Sequence, residues 1–181
     1  PIRIKNTFRP EDEGTEIVPT SRYTYSGKRV TGIAGKKDFT VIFLEKSLMN
    51  AEIGFTYRVL AVFLKHGISF EHIPTGIDTM SFVVDSDLLK NGVLEEVCAE
   101  IEENVHPDNL RVITDIALIA VVGHGMAKSV GTSARLFEAI ARAGVNVRMI
   151  DQGSSELNII VGVDNENYER TLKAVYEEFF D

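Results

Sequence analysis

Apolar residues recur along this chain with two periods, near 2 in short runs and near 3.6 in longer ones, and the order of the runs predicts a fold. Ile2 and Ile4 alternate with Arg3 and Lys5 as in a strand, before the turn-forming cluster Pro10-Glu11-Asp12-Glu13-Gly14. Residues 30–34 read as a short strand, 35–38 as a turn, and 39–44 as a buried strand rich in β-branched and aromatic residues. Phe55, Val59, Leu60, Val62 and Phe63 fall at helical spacing, with Gly67 placed to follow the last turn, so the pattern predicts a helix over 55–66. Strand character returns over 68–73, Thr75-Gly76-Ile77-Asp78 makes a turn, and 80–84 is again a strand. Asp85, Ser86 or Asp87 is positioned to cap a second helix, whose apolar face carries Leu88, Leu89, Val93, Leu94, Val97, Cys98 and Ile101. A strand over 110–114 closes the series.

The order from residue 39 is β-α-β-β-α-β, the split βαβ arrangement of a ferredoxin-like α+β sheet with helices on one face. It then restarts: strand 116–122, helix 133–142, strand 145–150, turn 152–154, strand 157–163 and helix 167–179. One interval of 77 residues separates Gly54 from Gly131, Gly67 from Gly144, Ile73 from Ile150 and Gly76 from Gly153. Glycines repeated in this way indicate duplication, each answering the same backbone demand in its copy. The second copy ends on a helix, without a closing strand, and would leave an open sheet edge. The strand at 30–34 is assigned to that edge, which makes the second unit discontinuous, with the first inserted in it. The expected boundaries are an N-terminal segment and linker over 1–28 (the linker itself over 21–28), a completing strand over 29–38, a first unit over 39–115 and a second over 116–181.

Composition adds exclusions. With 44% apolar and 25% charged residues in 181, the chain has the makings of a packed core. A net charge of −8 without a basic run argues against nucleic acid as a partner. Apolar runs such as 116–122 fall far short of the roughly 20 residues that cross a bilayer, so no membrane partner is expected. The start lacks a methionine and a signal-like apolar region, and reads as a piece cut from a longer chain. The single cysteine, Cys98, excludes an internal disulfide and fits the cytoplasm.

Candidate chemistry is sparse. Gly123-His124-Gly125 lacks the third glycine of a dinucleotide fingerprint, and 32–36 lacks the spacing of a phosphate loop. His66, His72, His106 and His124 sit in separate elements without metal-ligand spacing, while Ser154-Ser155-Glu156 and Glu11-Asp12-Glu13 read as solvated turns. A binding reading attaches instead to the loop Ser47-Leu48-Met49-Asn50-Ala51-Glu52-Ile53-Gly54, which enters the first helix and has its equivalent at 123–131. Free amides at a helix N-terminus suit a carboxylate, and Ser69-Phe70-Glu71 offers carbonyls and an acid to an ammonium group.

The segments Met49-Asn50-Ala51-Glu52-Ile53-Gly54-Phe55, His66-Gly67-Ile68-Ser69 and Glu71-His72-Ile73-Pro74-Thr75-Gly76-Ile77-Asp78 closely resemble the first ACT domain of lysine-sensitive aspartate kinases. Gly144-Val145-Asn146-Val147 and Gln152-Gly153-Ser154-Ser155-Glu156 resemble their second ACT domain, and residues 1–15 the end of their kinase domain. The resemblance implies two ACT domains and feedback control by an end-product amino acid, L-lysine or in some members L-threonine. It also implies a homodimer through the first ACT domains and a catalytic domain in the full-length protein. ATP and magnesium would belong to that kinase, whose lysine- and glycine-rich N-terminal motif is absent; no cofactor and no phosphorylating activity are expected of this chain. By analogy the effector would be lined by Met49, Asn50, Ala51, Glu52, Gly54, Phe55, Thr56, Ser69, Phe70 and Glu71. Ala51, Glu52 and Ile77 depart from the polar, basic or acidic residues that some lysine-inhibited members carry there. The rival readings are an ACT-type dimerisation module without a metabolite, and a free-standing enzyme of ferredoxin-like fold.

Overall fold

The computed structural model describes residues 1–22, 27 and 29–181. A small antiparallel hairpin, β1 (Ile2–Ile4) with β2 (Thr15–Ile17), stands apart from the main sheet. The linker expected over 21–28 lies, apart from residues 21, 22 and 27, outside the described residues. Five strands form the main sheet: β3 (Gly32–Glu45), β4 (Thr79–Asp85), β5 (Asn109–Val122), β6 (Met149–Asp151) and β7 (Asn158–Asp164). All neighbours are antiparallel, in the order β4-β3-β5-β7-β6. The helices are α1 (Phe55–Lys65), α2 (Val93–Val105), α3 (Thr132–Arg142) and α4 (Tyr168–Phe180). Duplication shows in their lengths, since α1 and α3 have 11 residues each and α2 and α4 have 13.

The short strands separated in the sequence reading are continuous in the structure. Residues 30–34 and 39–44 contribute to one 14-residue strand, β3, and 110–114 and 116–122 to another, β5. The first part of β3 pairs with the end of β5, Gly32 to Lys36 against Val122 to Leu118, and so completes the second unit. Its later part, Phe39 to Glu45, pairs with β4 and with the start of β5 in the first unit. The turn expected at 35–38 is a bend within β3. Asp38 takes φ +68 there, the pairing register slips between Lys36 and Val41, and Asp115 on β5 takes φ +60 at the same level. Aspartate visits left-handed backbone more readily than most residues other than glycine. The Asp38 amide donates to Asn165 Oδ1 at 3.1 Å, and Asn165 Nδ2 donates to Asp38 Oδ1 at 2.7 Å.

These bends fold the sheet over itself. In a flat sheet β4 and β6 would stand roughly 19 Å apart, four strand spacings. Yet Val83 of β4 and Met149 of β6 share one apolar cluster with Phe39, Val41 and Ile116, and His72 beside β4 lies 3.2 Å from Asp151 of β6. The contact approaches hydrogen-bond distance without hydrogen-bond alignment, leaving the buried His72 Nε2 without a formal partner.

Each half of the sheet carries its own helix-covered core. Ile42, Leu44, Met80, Phe82 and Val84 pack under Val59 and Phe63 of α1 and Val97 and Ile101 of α2. Ala117, Ile119, Val121, Val161 and Val163 pack under Leu136 and Ile140 of α3 and Val175 of α4. Strand periodicity sends even positions of β4 toward the helices, so the burial of Val83 reports cover on the opposite face by the second unit.

Other expectations need correction. The strand over 68–73 is reduced to isolated bridges at His72 and Thr75, because Pro74 has no amide to donate and breaks the ladder. Of the strand expected over 145–150 only Met149 and Ile150 are regular, as the start of β6. Asp85 caps a separate 3-10 turn, Ser86–Leu89, by accepting the Asp87 amide at 3.0 Å. Helix α2 itself starts after Asn91 and Gly92, both at positive φ, which break the chain between Leu89 and Val93. Gly54 and Gly131 share φ near +85 (+81 and +88), and Gly67 and Gly144 are at +66 and +67, as duplication requires. Gly76 and Gly153 lie outside the left-handed region; a Cβ on Gly76 would sit 2.6 Å from Thr79 Oγ1.

Candidate functional site

The loop after β3 is built by charge pairing and by tethers to the chain around it. Leu48 at φ +61 opens a short 3-10 turn, Met49–Ala51. Asp78 Oδ1 accepts the Leu48 amide at 3.0 Å, and Asp108 Oδ2 accepts the Ser47 amide at 2.7 Å. The Ser47 amide and hydroxyl hold the Asp108 carboxyl below the usual carboxylate range. Lys46 Nζ donates to the carbonyls of Val105 at 2.7 Å and His106 at 3.1 Å, at the end of α2, and reaches Glu52 Oε2 at 3.2 Å. Arg58 clamps the same carboxylate from the first turn of α1. Glu52 is therefore already matched by two cations.

Helix α1 begins beyond Gly54, and the amides of Thr56 and Tyr57 find no acceptor among the described residues. They border a cleft of about 280 Å³. Met49, Asn50, Glu52, Gly54, Phe55 and Thr56 line one part of it, Tyr57 and the hairpin tip Thr75-Gly76-Ile77 the rest. Partial positive charge and free amides at the helix start suit a carboxylate in such a cleft.

Not all the anticipated residues meet there. Ala51 is exposed and does not line the cleft. Ser69, Phe70 and Glu71 follow the far end of α1, a helix about 16 Å long. Phe70 packs edge-on against Phe63 and Phe82, with centroids 6.1 and 6.0 Å away. The Glu71 amide donates to Val83 O at 2.8 Å, and its carboxylate has no ion-pair partner among the described residues. Tyr57, Thr75, Gly76 and Ile77 were missed as lining residues. The turn at 75–78 was legible, but nothing local in the sequence announces that it folds back against the start of α1.

The equivalent place in the second unit is bridged by its own side chains. Ser133 and Gln152 stand at the positions of Thr56 and Thr75, and Ser133 Oγ donates to Gln152 Oε1 at 3.3 Å. The Lys128 amide in the equivalent loop donates to Glu156 Oε2 at 2.6 Å, giving Glu156 a tethering role in what read as a solvated turn.

Elsewhere, His66 lies 2.9 Å from Glu100, which Lys65 also meets at 2.9 Å. Among the described residues no three His, Cys, Asp or Glu side chains are grouped to hold a metal ion, and no helix is long and apolar enough to cross a membrane. Burial pushes the half-buried Cys98 thiol up to about 11, which keeps it protonated and unreactive.

The ACT domain family model matches residues 119–179, within the second unit. Aspartokinase 3 of Bacillus subtilis is 41% identical over 180 residues, 99% of this chain and 39% of that enzyme. This chain is homologous to the aspartokinases. The crystal structure of Clostridium acetobutylicum aspartate kinase, an allosteric enzyme, superposes with a TM-score of 0.93 at 43% identity, covering 98% of this chain and 41% of that one. The regulatory subunit of aspartate kinase from Thermus flavus gives 0.71 at 27% identity, covering 84% of this chain and 99% of that subunit. The likeness falls on the regulatory, tandem-ACT region of aspartokinases, and the chain spans about two fifths of the length of the two whole enzymes.

Proposed function

We propose that this chain is the feedback-sensing part of a cytoplasmic aspartokinase. In this reading an end-product amino acid, L-lysine, binds the first ACT unit and inhibits phosphorylation of aspartate by a catalytic domain elsewhere in the full protein. Residues 1–28 are then the end of that catalytic domain and the linker from it, and ATP and magnesium are bound there. L-threonine is the alternative effector. The observation that carries the reading is the open cleft at the start of α1, where free amides meet a hairpin tip that the second unit ties down with Ser133 and Gln152. The ligand α-carboxylate is assigned to the Thr56 and Tyr57 amides. Its ammonium groups fall to Asn50 and to acidic groups.

Within one chain Glu71 lies at the far end of α1 from this cleft, so the whole anticipated residue set engages one ligand only when a second copy supplies Ser69, Phe70 and Glu71. Exposed apolar side chains support such a homodimer: Ile53, 96% exposed, and Tyr57, 75%, at the start of α1, and Leu64, 82%, two turns further along it. The same surface favours the second reading, a dimerisation module without a metabolite. Thermal unfolding with excess L-lysine, L-threonine, L-methionine or no ligand separates the two. A rise in midpoint selective for lysine is the expected result. A midpoint that no amino acid moves, in a chain that still dimerises, leaves the dimerisation module.

A further inference from the structure

A second cavity, of about 270 Å³, opens where the two units fold against each other. Val41, Phe43, Ile113, Ile116 and Met149 make its walls apolar. The polar residues of its lining are Ser81, Arg111 and Arg148. Arg148 is anchored to Asp164 at 2.6 Å. The Arg111 guanidinium lies over the Phe43 ring, 4.7 Å from its centroid, and has no carboxylate partner among the described residues. The Ser81 hydroxyl likewise has no hydrogen-bond partner among them.

In a chain of net charge −8, an apolar cavity lined by Ser81, by Arg111 without a carboxylate partner and by the paired Arg148, with no acid in its lining, suits an anion. Stacking on Phe43 holds the Arg111 fork in a fixed plane, which suits two parallel hydrogen bonds to a carboxylate. The size and the walls set the rest of the ligand, a compact apolar body. We propose that this cavity is a binding site for small monocarboxylates with an apolar body, held by Arg111 and Ser81 with Arg148 beside them. Arg111 and Ser81 belong to the first unit, and Arg148 and Met149 to the second, so the ligand touches both at their junction. It favours the relative arrangement of the units that closes the cavity.

The site shares no lining residue with the cleft at α1, so the two are tested separately. Calorimetric titration of the chain with 3-phenylpropanoate is expected to show saturable binding. Arg111→Gln is expected to weaken it by about tenfold or more, as is replacing the probe by uncharged 3-phenylpropanamide. Arg111 is exposed, so the glutamine variant leaves the core intact. No saturable heat with millimolar probe overturns the proposal, and so does equal affinity for acid and amide or for wild type and Arg111→Gln.

Discussion

Asp38 and Glu100 show how single side chains set the geometry of this molecule. Asp38 holds left-handed backbone in mid-strand through its paired hydrogen bonds with Asn165. A β-branched replacement loses the bond from Asn165 Nδ2 and does not hold that backbone at low cost. Asp38→Val is therefore expected to lower stability in urea unfolding by about 1–2 kcal/mol, and Asp38→Gly by distinctly less. Glu100 joins α1 to α2, and hydrogen bonds from Lys65 and then His66 hold its carboxyl below the usual range. A carboxyl depressed by folding contributes stability that is present above its unfolded value and is lost as pH falls through its folded one. Glu100→Gln should thus unfold at a lower temperature than wild type at pH 7. The gap should close as pH drops from about 5 through the carboxylate range, and a gap that persists in acid would show that Glu100 acts through packing rather than charge.

At the scale of elements, helices were legible almost to the residue, because a 3.6-residue stripe and a following glycine are local signals: α1, α3 and α4 lie within a residue or two of the spans that their apolar positions predict. The long strands were not. Gly35 and Asp38 carry turn chemistry, and only pairing with β5 and Asn165, more than 70 residues later, keeps that stretch extended. The cleft was half legible for the same reason. Met49 to Thr56 are contiguous, whereas Thr75 to Ile77 reach them through the tertiary fold. Tyr57 and Leu64 lie two turns apart on one face of α1, both largely exposed. If that stripe pairs with a second copy, Leu64→Glu should shift the chain from dimer to monomer in sedimentation velocity without lowering its unfolding temperature. A dimer that survives the change would place the contact elsewhere.

For the whole molecule, β3 and β5 each run through both units, so neither unit holds a complete sheet without the other. Removing residues 1–36 should strip the partner from Leu118 to Val122 and expose a long apolar edge; the expected result is aggregation or loss of cooperative unfolding. The intact chain should melt in a single calorimetric transition. Sharing strands also orders events at the ribosome. Thr31 meets Val122 91 residues downstream, and at ordinary synthesis rates that partner follows roughly 5 to 18 s later. Through that interval the first stretch of β3 is a nascent strand waiting for its mate, and a chaperone that shields it would speed maturation of the second half of the protein more than of the first.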